Sequence, residues 1–106
     1  MVKEHAYIDR RSIALHTMIA AKLQASPELL QIAIANMERW SQRSDYFQAG
    51  RSQIYLEEWR QILSKPLPQI IELLQSEDEH MCALRQCTPF AGVLTPQERW
   101  KVYASY

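Results

Sequence analysis

The sequence has few of the residues that build turn-rich or membrane-spanning proteins. Glycine occurs twice in 106 residues, which disfavours a fold with many tight β-turns, because those turns need positive φ angles repeatedly. No apolar run approaches the ~20 residues that a membrane-spanning helix requires. Residues 1–11 are polar and lack the apolar segment of a secretory signal. We therefore expect a cytoplasmic protein with no membrane partner.

Cysteine is equally scarce, with Cys82 and Cys87 the two present. Five residues of helix rise about 7.5 Å, which is too far for an unstrained disulfide while the helix persists. The sequence has no CxxC and no paired Cys/His cluster of the kind that holds structural zinc. We expect reduced thiols, no metal and no cofactor.

An excess of charge of either sign is also missing. Twelve basic and twelve acidic residues give a net charge of zero, whereas a dedicated nucleic-acid binder usually carries a basic excess that neutralises phosphates. Apolar residues make up 47% and charged residues 23% of the chain, as in ordinary globular proteins. The composition therefore indicates a folded domain and disfavours nucleic acid as its partner.

Apolar residues recur at spacings of three and four almost throughout the chain, which is typical of amphipathic helices. The pattern predicts an all-α fold, a compact single-domain bundle of five or six helices. Residues 1–106 form this domain, with 1–8 as a candidate flexible tail. The predicted helices cover residues 9–25, a stretch from 27 that ends near Gly50, then 52–64, 68–75, 77–86 and a last stretch from 96.

Two helix starts carry the signature of a capping box, in which a Ser or Thr and a Glu three residues later satisfy each other's backbone N–H groups. The first is "SEDE", with Ser76 and Glu79, and the second is "TPQE", with Thr95 and Glu98. Pro96 also suits the first position of a helix, where its missing N–H is not needed. Both helices are therefore expected to begin sharply.

Between these two starts the chain reads "LRQCTPFAGVLTPQERW", residues 84–100. The loop at 87–94 holds four apolar residues, which must either fold back onto the core or face a partner. We favour the first interpretation for Phe90, as a plug at the end of the bundle. Because loops often hold binding residues, the exposed polar neighbours of the loop remain candidates for partner contact.

Three tryptophans, Trp40, Trp59 and Trp100, each lie late in an apolar stripe. Burial in the core explains all three, since large aromatics contribute much of the burial in a small domain. A protruding tryptophan could instead anchor an interface. Helical spacing does not separate the two interpretations.

The segment "RRSIALH" places Arg11 and His16 at a spacing that resembles the Arg-x4-6-His motif of the HEPN ribonucleases. That resemblance implies a cationic arginine and a proton-transferring histidine acting on an RNA phosphodiester. Five positions along a helix, however, separate the two side chains by about 140° around its axis. Surface charge for Arg11, and a place for His16 on a polar face or as a capped core residue, is the simpler interpretation.

Other chemistries find less support. A helix-turn-helix built from the two helices around Ser76 would bring Glu77, Asp78 and Glu79 to the DNA, where they would repel phosphates. The same carboxylates and His80 point in different directions around a helix, which disfavours a shared metal ion. No Gly-rich phosphate loop, HExxH or GxSxG is present. The sequence thus offers no positive case for an enzyme.

Three stretches resemble a set of small bacterial helical domains that accompany toxin–antitoxin gene pairs. They are "RRSIALHTMIAAKL" at 10–23, "YLEEWRQIL" at 55–63 and "LRQCTPFAGVLTPQERW" at 84–100. Some such domains are fused behind a small DNA-binding module, and the resemblance implies that the helical part binds and neutralises the toxin. Here only residues 1–9 precede the first predicted helix, so we expect no attached DNA-binding module.

These observations lead to one main hypothesis and two alternatives. The main hypothesis is a non-enzymatic, antitoxin-like module that binds and masks a protein, which would be a toxin acting on RNA or nucleotides. The alternatives are an HEPN-like ribonuclease using Arg11 and His16, and a DNA-associated accessory protein. Association of the chain with itself stays open. The candidate contact residues are Arg85, Gln86, Thr88 and Phe90, with Arg10, Arg11 and His16 as a second patch.

Overall fold

A computed structural model describes residues 2–42 and 51–106, with side chains described for 9–42 and 54–106. Within these ranges the regular structure is helical throughout, which confirms the all-α prediction. The radius of gyration is 13.7 Å, close to the ~13 Å expected for one compact domain of this length. The α-helices are α1 (Val2–Ala25), α2 (Leu30–Ser41), α3 (Arg51–Leu63), α4 (Leu67–Leu74), α5 (Glu79–Arg85) and α6 (Pro96–Ser105), and a 3-10 turn at Pro27–Leu29 leads into α2.

The long helix α1 lies at the centre of the fold and contacts α4, α5, α6 and the 3-10 turn. Among its described side chains, those of Ser12, His16, Ile19, Ala20 and Leu23 are buried. Their spacing of three and four residues places them on one face of the helix. Because Ala20 is small, neighbouring helices can approach α1 closely at the middle of this face.

Two predicted helix starts have different outcomes. The capping box of α6 is confirmed: the Thr95 hydroxyl accepts the Glu98 N–H at 3.1 Å, and the Glu98 carboxylate accepts the Thr95 N–H at 2.7 Å. The capping box at Ser76 is wrong, since α5 begins at Glu79 with Asp78 at its N-cap. The Ser76 hydroxyl instead accepts the N–H of Asp78 at 3.1 Å, a local turn that competes with helix capping.

The N-terminal boundary also differs from the prediction. The candidate tail 1–8 is helical from Val2 onward and extends α1 by about two turns. This segment contains no glycine or proline, so nothing in it interrupts the helix once it has formed. The predicted stop at Gly50 lies outside the described residues.

The three tryptophans have different environments. Trp59 is fully buried, and its indole N–H donates to the Leu84 carbonyl at 3.0 Å. Trp40 is partly buried against the core. Trp100 leaves 69% of its surface exposed. Of the two interpretations, the core position is confirmed for Trp59, whereas Trp100 is exposed and Val102 is the buried residue of α6.

Candidate functional site

The loop of residues 87–94 is folded into the core. Pro89, Phe90, Val93 and Leu94 are all buried, and the Phe90 ring meets the Trp59 ring edge to face, with 5.8 Å between centroids. This confirms the interpretation of Phe90 as a plug. It also corrects the placement of Phe90 among the contact residues, because a side chain with 1% exposure offers a partner no surface.

A short chain of hydrogen bonds joins this loop to α1 through His16. The ring Nδ1 lies 2.7 Å from the Ser12 carbonyl, which can only accept, so Nδ1 carries the proton. The Nε2 atom then accepts the Thr88 hydroxyl at 2.8 Å. The same Thr88 oxygen accepts the Phe90 N–H at 3.2 Å. The three bonds fix the tautomer of His16 and the path of the loop together.

The environment of His16 keeps its imidazole neutral. Its pKa is lowered to about 4, mainly by burial; the hydrogen bond to Ser12 opposes this shift, and the Arg85 charge adds a smaller lowering. A general acid or base works best with a pKa near the operating pH. His16 is therefore poorly suited to proton transfer near neutral pH. Because the side chain is buried, its prediction as a partner contact is also wrong.

Arg11, the other half of the ribonuclease alternative, contacts a different group. Its guanidinium carbon lies 5.0 Å from the centroid of the Tyr103 ring, a cation–π contact between α1 and α6. His16 points into the core, with both ring nitrogens bonded. The structure thus places the two residues on neighbouring parts of α1 without joining them into an acid–base pair.

Arg85 is buried at 2% exposure and holds the end of α4. Its guanidinium donates to the carbonyls of Leu73, Leu74 and Ser76 at 3.3, 3.1 and 2.5 Å. The last carbonyls of a helix lack partners within the helix and attract positive charge. Arg85 therefore caps α4, which corrects its assignment as a partner contact.

Two side chains that sequence reasoning missed also fix the loop. Asn36 on α2 donates to the carbonyls of Pro89 and Ala91 at 2.7 and 2.9 Å. Lys22 on α1 donates to the Val93 carbonyl at 2.8 Å and to the Glu98 carboxylate at 2.7 Å. A signal existed for Asn36, because it is a polar residue three positions after buried Ala33.

The loop turns at Gly92, whose φ is +97°. A Cβ there would lie 3.5 Å from Ile32, an ordinary contact, so substitution is opposed by backbone conformation rather than by crowding. We expect Gly92→Ala to lower the free energy of unfolding by about 1–2 kcal/mol, measured by urea denaturation. Gly92→Asn should lose less, because asparagine tolerates positive φ; a larger loss for asparagine would point to crowding instead.

Beside the loop lies an open cleft of about 160 Å³. Leu15 and Ile19 of α1 form one wall, and Arg99 and Tyr103 of α6 form the other. The His16–Thr88 hydrogen bond lies along its lining. We refer to it as the α1–α6 cleft.

Exposed aromatic residues continue from this cleft along α6 and onto its C-cap residue, Tyr106. Trp100 is 69% exposed, Tyr103 40% and Tyr106 43%. We call these three residues the α6 aromatic surface. Of the predicted contact residues outside the core, Gln86 and Arg10 are exposed, while Arg11 and Thr88 are partly buried.

The described part of the chain offers no metal cluster and no membrane-spanning helix. There, no three His, Cys, Asp or Glu side chains gather where they could hold a metal ion. None of the described helices combines the length and apolar character needed to cross a bilayer. Cys82 and Cys87 are free thiols, and burial raises the pKa of Cys87.

Comparison of the chain with protein-family models, with curated proteins and with solved structures gave no match. The features of the fold that bear on function are the loop, the α1–α6 cleft and the α6 aromatic surface.

Proposed function

We propose that this domain is a non-enzymatic protein-interaction module of the antitoxin-like kind, which binds and masks a partner protein through α6. The observation that carries the proposal is the α6 aromatic surface beside an arginine-bordered cleft. In the form that the sequence resemblance implies, the partner is a toxin that acts on RNA or nucleotides in the cytoplasm.

The residue types on α6 support a protein partner. Tryptophan, tyrosine and arginine are the residues that most often dominate binding energy at protein interfaces. Here Trp100, Tyr103 and Arg99 lie within five consecutive positions of one helix, and all three are exposed. A helix presents such residues without loss of backbone entropy on binding, because it is already ordered.

The alternatives receive less support from the same geometry. The ribonuclease hypothesis needs His16 to exchange protons near neutral pH, and this residue is buried, neutral and bonded at both nitrogens. The DNA-accessory hypothesis needs a basic surface, whereas the chain has zero net charge. Neither alternative uses the exposed Trp100.

The proposal predicts a strong effect of Trp100 on partner affinity. The tagged protein would be purified from the organism that encodes it, its stoichiometric partner identified by mass spectrometry, and the affinity of the purified pair measured by calorimetry. We expect Trp100→Ala to weaken binding about 30-fold or more, as for an interface hot spot.

A matched control is Ile54→Ala on α3, since Ile54 is 60% exposed but distant in sequence from α6. The affinity of the Ile54→Ala variant for the partner should equal that of the wild type. Recovery of the protein alone, or only as a homo-oligomer by light scattering, would contradict the proposed function. Unchanged affinity for Trp100→Ala, or equal losses for both variants, would contradict binding through α6.

A further inference from the structure

The size of the α1–α6 cleft limits what it can hold. Its volume of about 160 Å³ is roughly half of the ~300 Å³ at which small-molecule pockets begin. An apolar cavity of about 150 Å³, however, is large enough for benzene. The cleft therefore matches one aromatic ring or one branched aliphatic side chain, and it is too small for a nucleotide or a cofactor.

The lining combines apolar walls with positive charge. Leu15, Ala91 and the Tyr103 ring contribute accessible apolar surface, the buried Ile19, Phe90 and Leu94 also line the cleft, and Arg99 is the charged residue of the lining. Arg11 lies beside the same cleft, over the ring of Tyr103. Among the residues that the structure describes, no carboxylate contributes to the lining. The cleft thus selects an apolar group that has negative charge next to it.

The pairing of charges on this side of the molecule supports the same selection. Lys22 pairs with Glu98, which precedes Arg99 on α6. Among the described residues, no carboxylate lies within salt-bridge distance of Arg99. Its planar guanidinium can donate two parallel hydrogen bonds to a carboxylate, which adds geometric selectivity to the charge.

We propose that the α1–α6 cleft receives a single apolar side chain from an acidic segment of the partner protein, with a neighbouring Asp or Glu carboxylate bound by Arg99. The proposal rests on the proposed function and adds the chemistry of the partner. The α6 aromatic surface then borders the inserted side chain and excludes water from it, as residues around an interface hot spot do.

A small probe with the same two chemical features tests the cleft directly. In ¹H–¹⁵N NMR titrations of the full chain, 3-phenylpropionate should shift the amide signals of loop 87–94, Arg99 and Tyr103. We expect weak binding in fast exchange. The matched probes are 3-phenylpropylamine, with the opposite charge, and propionate, without the ring. Equal shifts from the amine, or shifts centred elsewhere, would overturn the proposal.

Two pairs of variants test shape and charge separately. Ala91→Phe places a ring at the cleft from an exposed loop position and should abolish the shifts, whereas Ala35→Phe, exposed on α2 and outside the cleft, should preserve them. Arg99→Glu should reduce the shifts at least tenfold at equal probe concentration. Lys101→Glu makes the same charge change on the same helix outside the lining and should leave them unchanged.

The same variants separate failure of the cleft proposal from failure of the proposed function. If a purified partner binds wild type, Ala91→Phe and Arg99→Glu equally well, the cleft proposal is overturned and the interaction module stands. If probe binding follows the expected pattern while no partner is recovered, the proposed function fails, and with it the assignment of a protein segment as occupant. Losses of at least tenfold for both variants, with both controls unchanged, support the two proposals together.

Discussion

Replacement of Phe90 by alanine is expected to lower the free energy of unfolding by about 3–5 kcal/mol, the usual cost of truncating a buried phenylalanine. The ring is 1% exposed and contacts Trp59 at 5.8 Å and His16 at 6.3 Å between centroids. Its removal leaves a cavity at the meeting point of α1, α3 and the loop. Urea denaturation followed by circular dichroism measures the loss.

Trp100→Ala is the matched control for this prediction, since it also removes a large aromatic side chain, but from an exposed position. It should change the free energy of unfolding by about 0.5 kcal/mol or less. A loss below about 1 kcal/mol for Phe90→Ala would contradict the structure's placement of this ring in the core. The pair of variants also separates stability from binding, because Trp100 is expected to matter only for the partner.

Acidification below pH 6.5 is expected to destabilise the domain through His16. Its pKa is lowered from 6.5 to about 4, mainly by burial. Above pH 6.5 both folded and unfolded states hold a neutral imidazole, so the group contributes nothing. Between pH 6.5 and 4 the unfolded state gains a proton that the folded state does not, and stability falls by about 3 kcal/mol in total. Urea midpoints across this range measure the fall.

Comparison with His16→Gln isolates this effect from other titrations. The variant should start less stable at pH 7 but lose much less stability between pH 6.5 and 4.5. His80→Gln is the control. The exposed His80 has a pKa raised by its hydrogen bond to Glu58, so its protonation stabilises the folded state on acidification. Its removal should therefore not reduce the loss of stability at low pH. Parallel pH profiles for wild type and His16→Gln would show that His16 does not control the response.

Local signals in the sequence predicted most of the helices, whereas the site depends on contacts that local signals do not contain. The capping box at Thr95 involves residues three positions apart, and it was predicted correctly. Helical spacing identifies the apolar face of a helix but not the element against which that face packs. It therefore did not separate the buried Trp59 from the exposed Trp100. The α6 aromatic surface was therefore missed as a unit.

Arg85 shows the same limit for a charged residue. An arginine at the end of a helix is typical of a surface position, and sequence reasoning placed it in the interface. Its burial depends on the carbonyls at the end of α4, which only the folded chain brings to it. The hydrogen bond between His16 and Thr88 spans 72 positions of the sequence, a separation at which residue spacing carries no signal.

The long-range bonds from α1 to the loop have a consequence for synthesis of the chain on the ribosome. Lys22 and the carbonyl of Val93 are 71 positions apart, and at about 5–20 residues per second the second is made roughly 4–14 s after the first. During this interval the face of α1 that carries Ile19 and Leu23 has no C-terminal loop or α6 to cover it. The packing of this side of α1 can therefore be completed only after the loop and α6 have been synthesised.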